Sequence, residues 1–436
     1  MTDQHPVGSR LDPWIESYAA RTAGMKVSEI RALFAVASRP EVVSLAGGMP
    51  NIGALPMELV GDTVQRLLLD QGLTALQYSS GQGDERLRDQ LLEVMALEGL
   101  DAHPDDIVMT TGSQQALDLV ARVFLDPRDV VIAESPSYVG ALGVFAAYEA
   151  DVVHVPCDAD GLVPEALEEH IARLLTEGRR IKFLYTVPTF QNPAGTALSD
   201  DRRPRVLEIC RRHGILVVED NPYGLLGFEG RTYPALKSMD ADGVIYLGTF
   251  SKIFAAGLRV GWAVAPHAVR EKLVLANEAA ILCPSAFTQA VASRYLSEID
   301  WQAQTASYRA LYQERRDAMA DALRSLLPQA RWNLPRGGLF FWIELPEGLD
   351  TKAMLPLAVK ELVAYAPGTG FYADGTGRRN ARLNFSYPTS ERIHEGVRRF
   401  ATVVEREQEL LETFGPYDDS TRSRARRVLL PSPDVS

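Results

Sequence analysis

Between Asp105 and Pro266 the chain alternates short runs of β-branched and other apolar residues with stretches of helical periodicity, and this restricts the fold more than any other feature. The pattern predicts strands at Ile107–Met109, Val130–Ala133, Val152–Val155, Ile181–Val187, Ile215–Val218, Val244–Leu247 and Val260–Val264. Helices are expected between them at Gln114–Phe124, Pro164–Thr176 and Arg202–His213, the second opening on a proline whose fixed φ suits a first helical turn. Strands that are apolar at nearly every residue are covered on both faces, and strands joined through helices run parallel. The expected fold is therefore α/β, a large domain whose mostly parallel, seven-stranded sheet is flanked by helices.

The rest of the chain divides around that sheet. A short helix is expected from Met25 to Arg39, running into a Gly- and Pro-rich loop over Ser44–Pro50. A long amphipathic helix from about Ile299 to Leu326 leads to a smaller α+β domain, with strands at Gly338–Leu345, Leu362–Pro367 and Ala381–Ser386 and a closing helix from Glu391. The expected divisions are an arm and helix over residues 1–52, the large domain over 53–297, the small domain over 298–415 and a disordered tail over 416–436. That tail has few core residues and a basic cluster at Arg422, Arg424, Arg426 and Arg427.

Composition excludes several function classes. With 45 Lys and Arg against 57 Asp and Glu, the net charge of -12 disfavours a nucleic-acid partner, which demands a basic surface. Cys157, Cys210 and Cys283 stand far apart, forming neither a metal-ligand cluster nor a disulfide framework, and no histidines have the spacing of a helical metal pair. No apolar run is long enough for a bilayer, and the first residues lack the basic-then-apolar pattern of a signal peptide. A cytoplasmic location without membrane contact is expected.

Chemistry-bearing residues recur where predicted strands end. Asp220 follows Val217-Val218-Glu219, and open α/β sheets bind ligands at the carboxyl ends of their strands. Gly248-Thr249-Phe250-Ser251-Lys252 ends the next strand with two hydroxyls and an amine, and lysine is the side chain that forms Schiff bases with carbonyls. Arg259 follows seven residues later, and its guanidinium can grip a phosphate with two parallel hydrogen bonds. Upstream, Thr111-Gly112-Ser113-Gln114 opens a helix whose free N–H groups suit an anion. Tyr138 supplies a ring for stacking, and Asn192 an amide in an Asn-Pro turn. Any one of these residues alone reads as an ordinary cap, turn or surface charge. Together they are the groups that hold a phosphorylated aromatic aldehyde.

The ordered set TGSQQAL, PSYVG, QNPAG, VEDNPYG, GTFSK and GLRVGW resembles the fold-type I aminotransferases of the aspartate aminotransferase superfamily. The branch it is most similar to contains α-aminoadipate, kynurenine and multisubstrate aminotransferases, and the resemblance spans about Ser28 to Phe400. It implies pyridoxal 5′-phosphate (PLP) as cofactor, carried covalently on Lys252, which then moves the substrate proton. It further implies that Asp220 pairs with the pyridine nitrogen and that Asn192 and Tyr223 bond the phenolic oxygen. Tyr138 would stack on the ring, while Ser113, Gln114, Thr249, Ser251 and Arg259 would hold the phosphate. By the same resemblance, Arg382 binds the α-carboxylate of amino-acid and 2-oxo-acid substrates. Tyr78 would reach the partner subunit's cofactor phosphate in a homodimer, and Gly48 and Arg31 would lie on the substrate side. The implied activity is amino transfer by ping-pong chemistry. The aromatic residues of the small domain, Phe340, Phe341, Trp342, Tyr365, Phe371 and Tyr372, read mostly as core but permit donors with an aromatic or bulky apolar side chain. The rivals are a lyase, cyclase or amino-acid oxidase on the same scaffold, which also need Lys252 and Asp220. A transcription regulator that borrowed this domain is disfavoured, because about thirty residues before the resemblance are too few for a DNA-binding domain.

Overall fold

The computed structural model describes residues 12, 14–25 and 39–415. The helix expected over Met25–Arg39, Arg31 within it, and the tail after residue 415 thus lie outside the described residues, apart from the ends Met25 and Arg39. A mixed sheet forms the centre, in the order Ile107–Thr110, Gly261–Val264, Val244–Thr249, Leu216–Asp220, Ile181–Thr186, Val130–Ser135, Asp151–Asp158 and Gly161–Leu162. The count is eight rather than seven, because the two-residue Gly161–Leu162 folds back antiparallel on Cys157 and Asp158. Two residues show no periodicity, so that edge strand left no trace in the pattern.

The five strands from Val244–Thr249 to Asp151–Asp158 pair in parallel. Gly261–Val264 runs against both of its neighbours. Ile107–Thr110 therefore points the same way as the parallel set, and the carboxyl ends of six strands share one edge. Helices Ser113–Phe124, Pro164–Thr176 and Arg202–Arg212 lie within a residue or so of their expected bounds. Apart from Asp151–Asp158, where only Val155 is fully buried, the strands bury nearly every side chain, as their apolar character demands.

One close approach organises the edge. Gly261 pairs with Thr110 on one side and Thr249 on the other. A Cβ at Gly261 would come within 2.5 Å of the Gly112 backbone and 2.6 Å of the Ser113 nitrogen. Only glycine lets the start of helix Ser113–Phe124 sit this close to the Thr249–Lys252 turn.

The second layer is built on the antiparallel strands Arg331–Trp332, Phe340–Glu344, Asn380–Asn384 and Ala366–Pro367. Helices Trp301–Leu326 and Ser390–Phe414 pack against one another beside it. The single strand expected over Leu362–Pro367 is in fact two. Val363–Ala364 pairs in parallel with Val43–Ser44, whereas Ala366–Pro367 pairs with Ala381 and Arg382. Tyr365 stands at the change of partner, buried and donating to the Thr351 carbonyl at 2.6 Å. The segment at Val43 therefore makes a separate two-stranded sheet with Val363–Ala364, beside the small sheet, and the chain crosses from it towards the large sheet through Leu45–Asn51. Among the described residues, no helix is long and apolar enough to cross a membrane.

Candidate active site

Asp220 ends its strand buried in the sheet edge. Its Oδ2 accepts a hydrogen bond from the Tyr185 hydroxyl at 2.8 Å, while its Oδ1 is buried with no partner among the described residues. Burial pushes its pKa up to about 6, against the pull of the Tyr185 bond and the Lys252 charge. A buried carboxylate oxygen without a donor is costly, and this one suits a bound protonated nitrogen. Tyr185 was not foreseen. It pairs with Val218 on the neighbouring strand, so the two-residue period places it diagonally beside Asp220 on one face.

Lys252 follows the adjacent strand and is half-buried. Its Nζ donates to the Gly48 carbonyl at 2.7 Å. Burial, with the positive charges of Arg382 and Arg259, brings its pKa down to about 8. The amine therefore gives up its proton to become nucleophilic far more readily than an ordinary lysine.

The expected phosphate cup comes together at the crossing point on Gly261. The Ser251 hydroxyl lies 2.9 Å from Thr249 Oγ1 and accepts from Arg259 Nη1 at 3.1 Å. Gly112, at φ +79°, stands where a Cβ would meet Arg259 Nη2 at 2.3 Å. Ser113 opens the helix there, directing its first N–H groups to the same side. Gln114 turns away. Its Oε1 accepts from the Tyr138 hydroxyl at 3.1 Å and its Nε2 donates to Gly140 O at 3.0 Å, so it braces Tyr138.

Tyr138, Asn192 and Tyr223 line the space between. Burial raises the pKa of both phenols, and the Asp220 charge adds to this. Asn192 Nδ2 donates to the Tyr223 hydroxyl at 3.4 Å, and its Oδ1 accepts from Arg382 Nη1 at 2.9 Å.

Arg382 reaches in from the small sheet, 2% exposed. Its second arm, Nη2, donates to the Ala46 carbonyl at 2.7 Å, and its Nε has no partner among the described residues. The Phe340 and Phe371 rings flank it, with guanidinium carbon to ring centroid distances of 4.2 and 5.1 Å. Burial lowers its pKa to about 10, so it remains charged at neutral pH. Both phenylalanines are buried in the core. Their contact with Arg382 was not legible.

Main-chain groups of the crossing loop tie it to both layers. Ala46 O and Gly48 O accept from Arg382 and Lys252. Met49 O accepts from the Ser386 hydroxyl at 2.8 Å, and Asn51 N donates to the Tyr312 hydroxyl at 2.9 Å. Tyr78 lies outside the cluster, 77% exposed.

A sequence pattern described as "Aminotransferase class I and II" matches residues 41–400. The aromatic-amino-acid aminotransferase 1 of Thermococcus litoralis is 42% identical over 394 residues, 89% of this chain and 94% of that protein. The 2-aminoadipate transaminase of Thermus thermophilus is 37% identical, covering 90% of this chain and 97% of its own length. A crystal structure of a Pyrococcus horikoshii kynurenine aminotransferase, in complex with PMP, superposes with a TM-score of 0.86 at 39% identity, over 90% of this chain and 98% of that one. Agreement over nearly the full length of proteins this similar makes the chain a member of the class I and II aminotransferase family.

Proposed function

We propose that this enzyme moves an amino group between an L-amino acid and a 2-oxo acid, with PLP bound at Lys252, and that its donors carry aromatic or bulky apolar side chains. The observation that carries the reading is the meeting of Lys252 and the unpartnered Asp220 Oδ1 with Arg382. Bound PLP supplies an electron sink for the charge left at Cα when a proton departs.

The chain's own groups do the rest. Asp220 Oδ1 holds a proton on its partner nitrogen, an interaction strong in a buried site. Asn192 and Tyr223 present donors side by side on the Arg382 face. Arg382 exchanges Ala46 O for the substrate carboxylate, a planar anion that matches its fork. Lys252, released from Gly48 O, would take the substrate Cα proton and hold it for return within the site. Phe340 and Phe371 keep water from the guanidinium and fix its plane.

The aromatic preference rests on Phe340, whose ring tip would lie 3.4 Å from a Cβ on Gly48, and on the names of two of the relatives above. A homodimer is supported by an exposed apolar stripe near Tyr78, with Leu69, Leu73 and Leu76 at helical spacing and Leu73 96% exposed. An exposed Tyr78 can then serve the partner's phosphate. A cytoplasmic location belongs to the same reading.

A panel of amino donors with 2-oxoglutarate or pyruvate tests it. One new amino acid per 2-oxo acid formed is expected, with phenylalanine, tyrosine and leucine ahead of aspartate. Ammonia or peroxide without an acceptor would instead indicate a lyase or oxidase.

The phosphate cup has its own test. Gly112→Ala puts a Cβ into the Arg259 guanidinium and into a left-handed backbone, so it should weaken PLP binding at least tenfold, about 1.4 kcal/mol. Spectrophotometric titration of the cofactor-free protein measures this. Affinity within twofold of wild type would remove Arg259 from the phosphate site.

A further inference from the structure

Glu134 takes no part in the site as read so far. It is the next-to-last residue of strand Val130–Ser135 and is 2% exposed. All three of its side-chain donors are neutral. Oε1 accepts from the Thr186 hydroxyl at 2.5 Å, and Oε2 from Val187 N at 3.0 Å and Gln191 Nε2 at 3.2 Å. Burying a carboxyl group among neutral groups costs stability, so a task for its two acceptor oxygens is worth seeking.

Gln191 is the connection. Its Nε2 also donates to Pro136 O at 2.6 Å, and its Oε1 accepts from Ala194 N at 2.7 Å. A carboxylate and a carbonyl only accept, so the amide can face one way only. Its backbone closes the same turn, with N bonded to Thr196 O and O bonded to Gly195 N. Asn192 rides on that turn. Arg382 only donates, so Asn192 must present Oδ1 to it, which leaves Nδ2 for Tyr223.

We propose that Glu134 and Gln191 form a positioning pair for the carboxylate subsite, fixing the turn that aims Asn192 and through it the Arg382 fork. The proposal rests on Arg382 being the carboxylate clamp. Bidentate recognition tolerates little rotation of a guanidinium, and a buried anchor held by three hydrogen bonds is a stiff way of preventing it.

The holoenzyme and two probes test this. 3-Phenylpropionate carries a carboxylate without an amine and is followed by calorimetry. 2-Phenylethylamine carries an amine without a carboxylate and is followed by the cofactor's absorbance. Gln191→Met keeps the volume and removes the three side-chain bonds, and Glu134→Asp withdraws the carboxylate from Gln191. Each should weaken 3-phenylpropionate at least tenfold and leave 2-phenylethylamine within twofold. The double variant should be little worse than either single one, since both cut one chain of contacts. Glu134→Gln should rescue, staying within threefold of wild type, because Thr186 can reverse its hydroxyl to accept.

If either weakening variant, folded by circular dichroism, binds 3-phenylpropionate within twofold of wild type, the pair positions nothing. Equal losses for both probes would reduce it to general scaffolding. Arg382→Lys is the control. If it fails to weaken 3-phenylpropionate, the clamp reading falls; if it does weaken it while Gln191→Met does not, only the positioning pair falls.

Discussion

Lys252→Ala should lower transamination at least a thousandfold, about 4 kcal/mol in barrier, while the protein still folds and still takes up some PLP. Lys252 contributes to the site through its amine, whose only hydrogen bond among the described residues is to the Gly48 carbonyl. The cup at Ser251, Arg259 and Gly112 and the acceptor at Asp220 stay in place without it. Borohydride reduction of the wild type should fix the cofactor on the peptide carrying Lys252, and the variant should lose that label. Single-turnover kinetics with phenylalanine measures the effect. Residual turnover within tenfold of wild type, or label on another lysine, would show that the proton travels by a different group.

The second large effect carries opposite signs for activity and stability. Asp220→Asn should reduce turnover at least a hundredfold, about 2.7 kcal/mol, because a neutral amide cannot hold a proton on the partner nitrogen. The same change should stabilise the cofactor-free protein. The folded carboxyl titrates at about 6 against a usual 3.8, so folding favours its protonated form. That preference aids stability fully below pH 3.8 and is lost as pH rises through about 6, leaving a burden of about 3 kcal/mol at neutral pH. Asparagine removes the burden while still accepting from Tyr185. Thermal unfolding without PLP should therefore shift up by a few degrees at pH 7.5, about half as much near pH 5, and not at all below pH 4. No gain at pH 7.5 would mean that Asp220 Oδ1 is not isolated in solution. Function here sits on a deliberately unfavourable charge.

The large sheet could be read from the sequence because buried parallel strands advertise themselves. Runs such as Val130–Ala133 and Val244–Leu247 are apolar on both faces, and a polar residue follows each within two positions, Glu134 and Thr249. The same logic exposed Asp220, Lys252 and Arg259, since polar groups following such runs fall at one edge. What stayed hidden depends on register or on distant pieces meeting. Tyr185 becomes a partner of Asp220 only through strand alignment, and Glu134 matters only through a loop fifty-seven residues on. Phe340 and Phe371 look like core because they are core, and their contact with Arg382 adds no sequence signal. The split at Tyr365 was invisible because two residues per strand are too few to show a period. Tyr78 remains an exposed side chain in the single chain, as a residue meant for a neighbouring subunit would be.

The crossing loop has an implication for how substrate range can drift. Ala46, Gly48, Met49 and Asn51 hold their places between the two layers through carbonyls and an amide. Backbone atoms are common to every amino acid, so side chains in this stretch are largely released from anchoring. Met49 and Ile52 are 40% and 54% exposed. A gene carrying random codons at these two positions should yield mostly folded, coloured enzymes that differ in which amino acids they prefer. Selection can thus explore new substrates here while Lys252, Asp220 and Arg382 stay untouched, which gives a duplicated copy a short path to a new role.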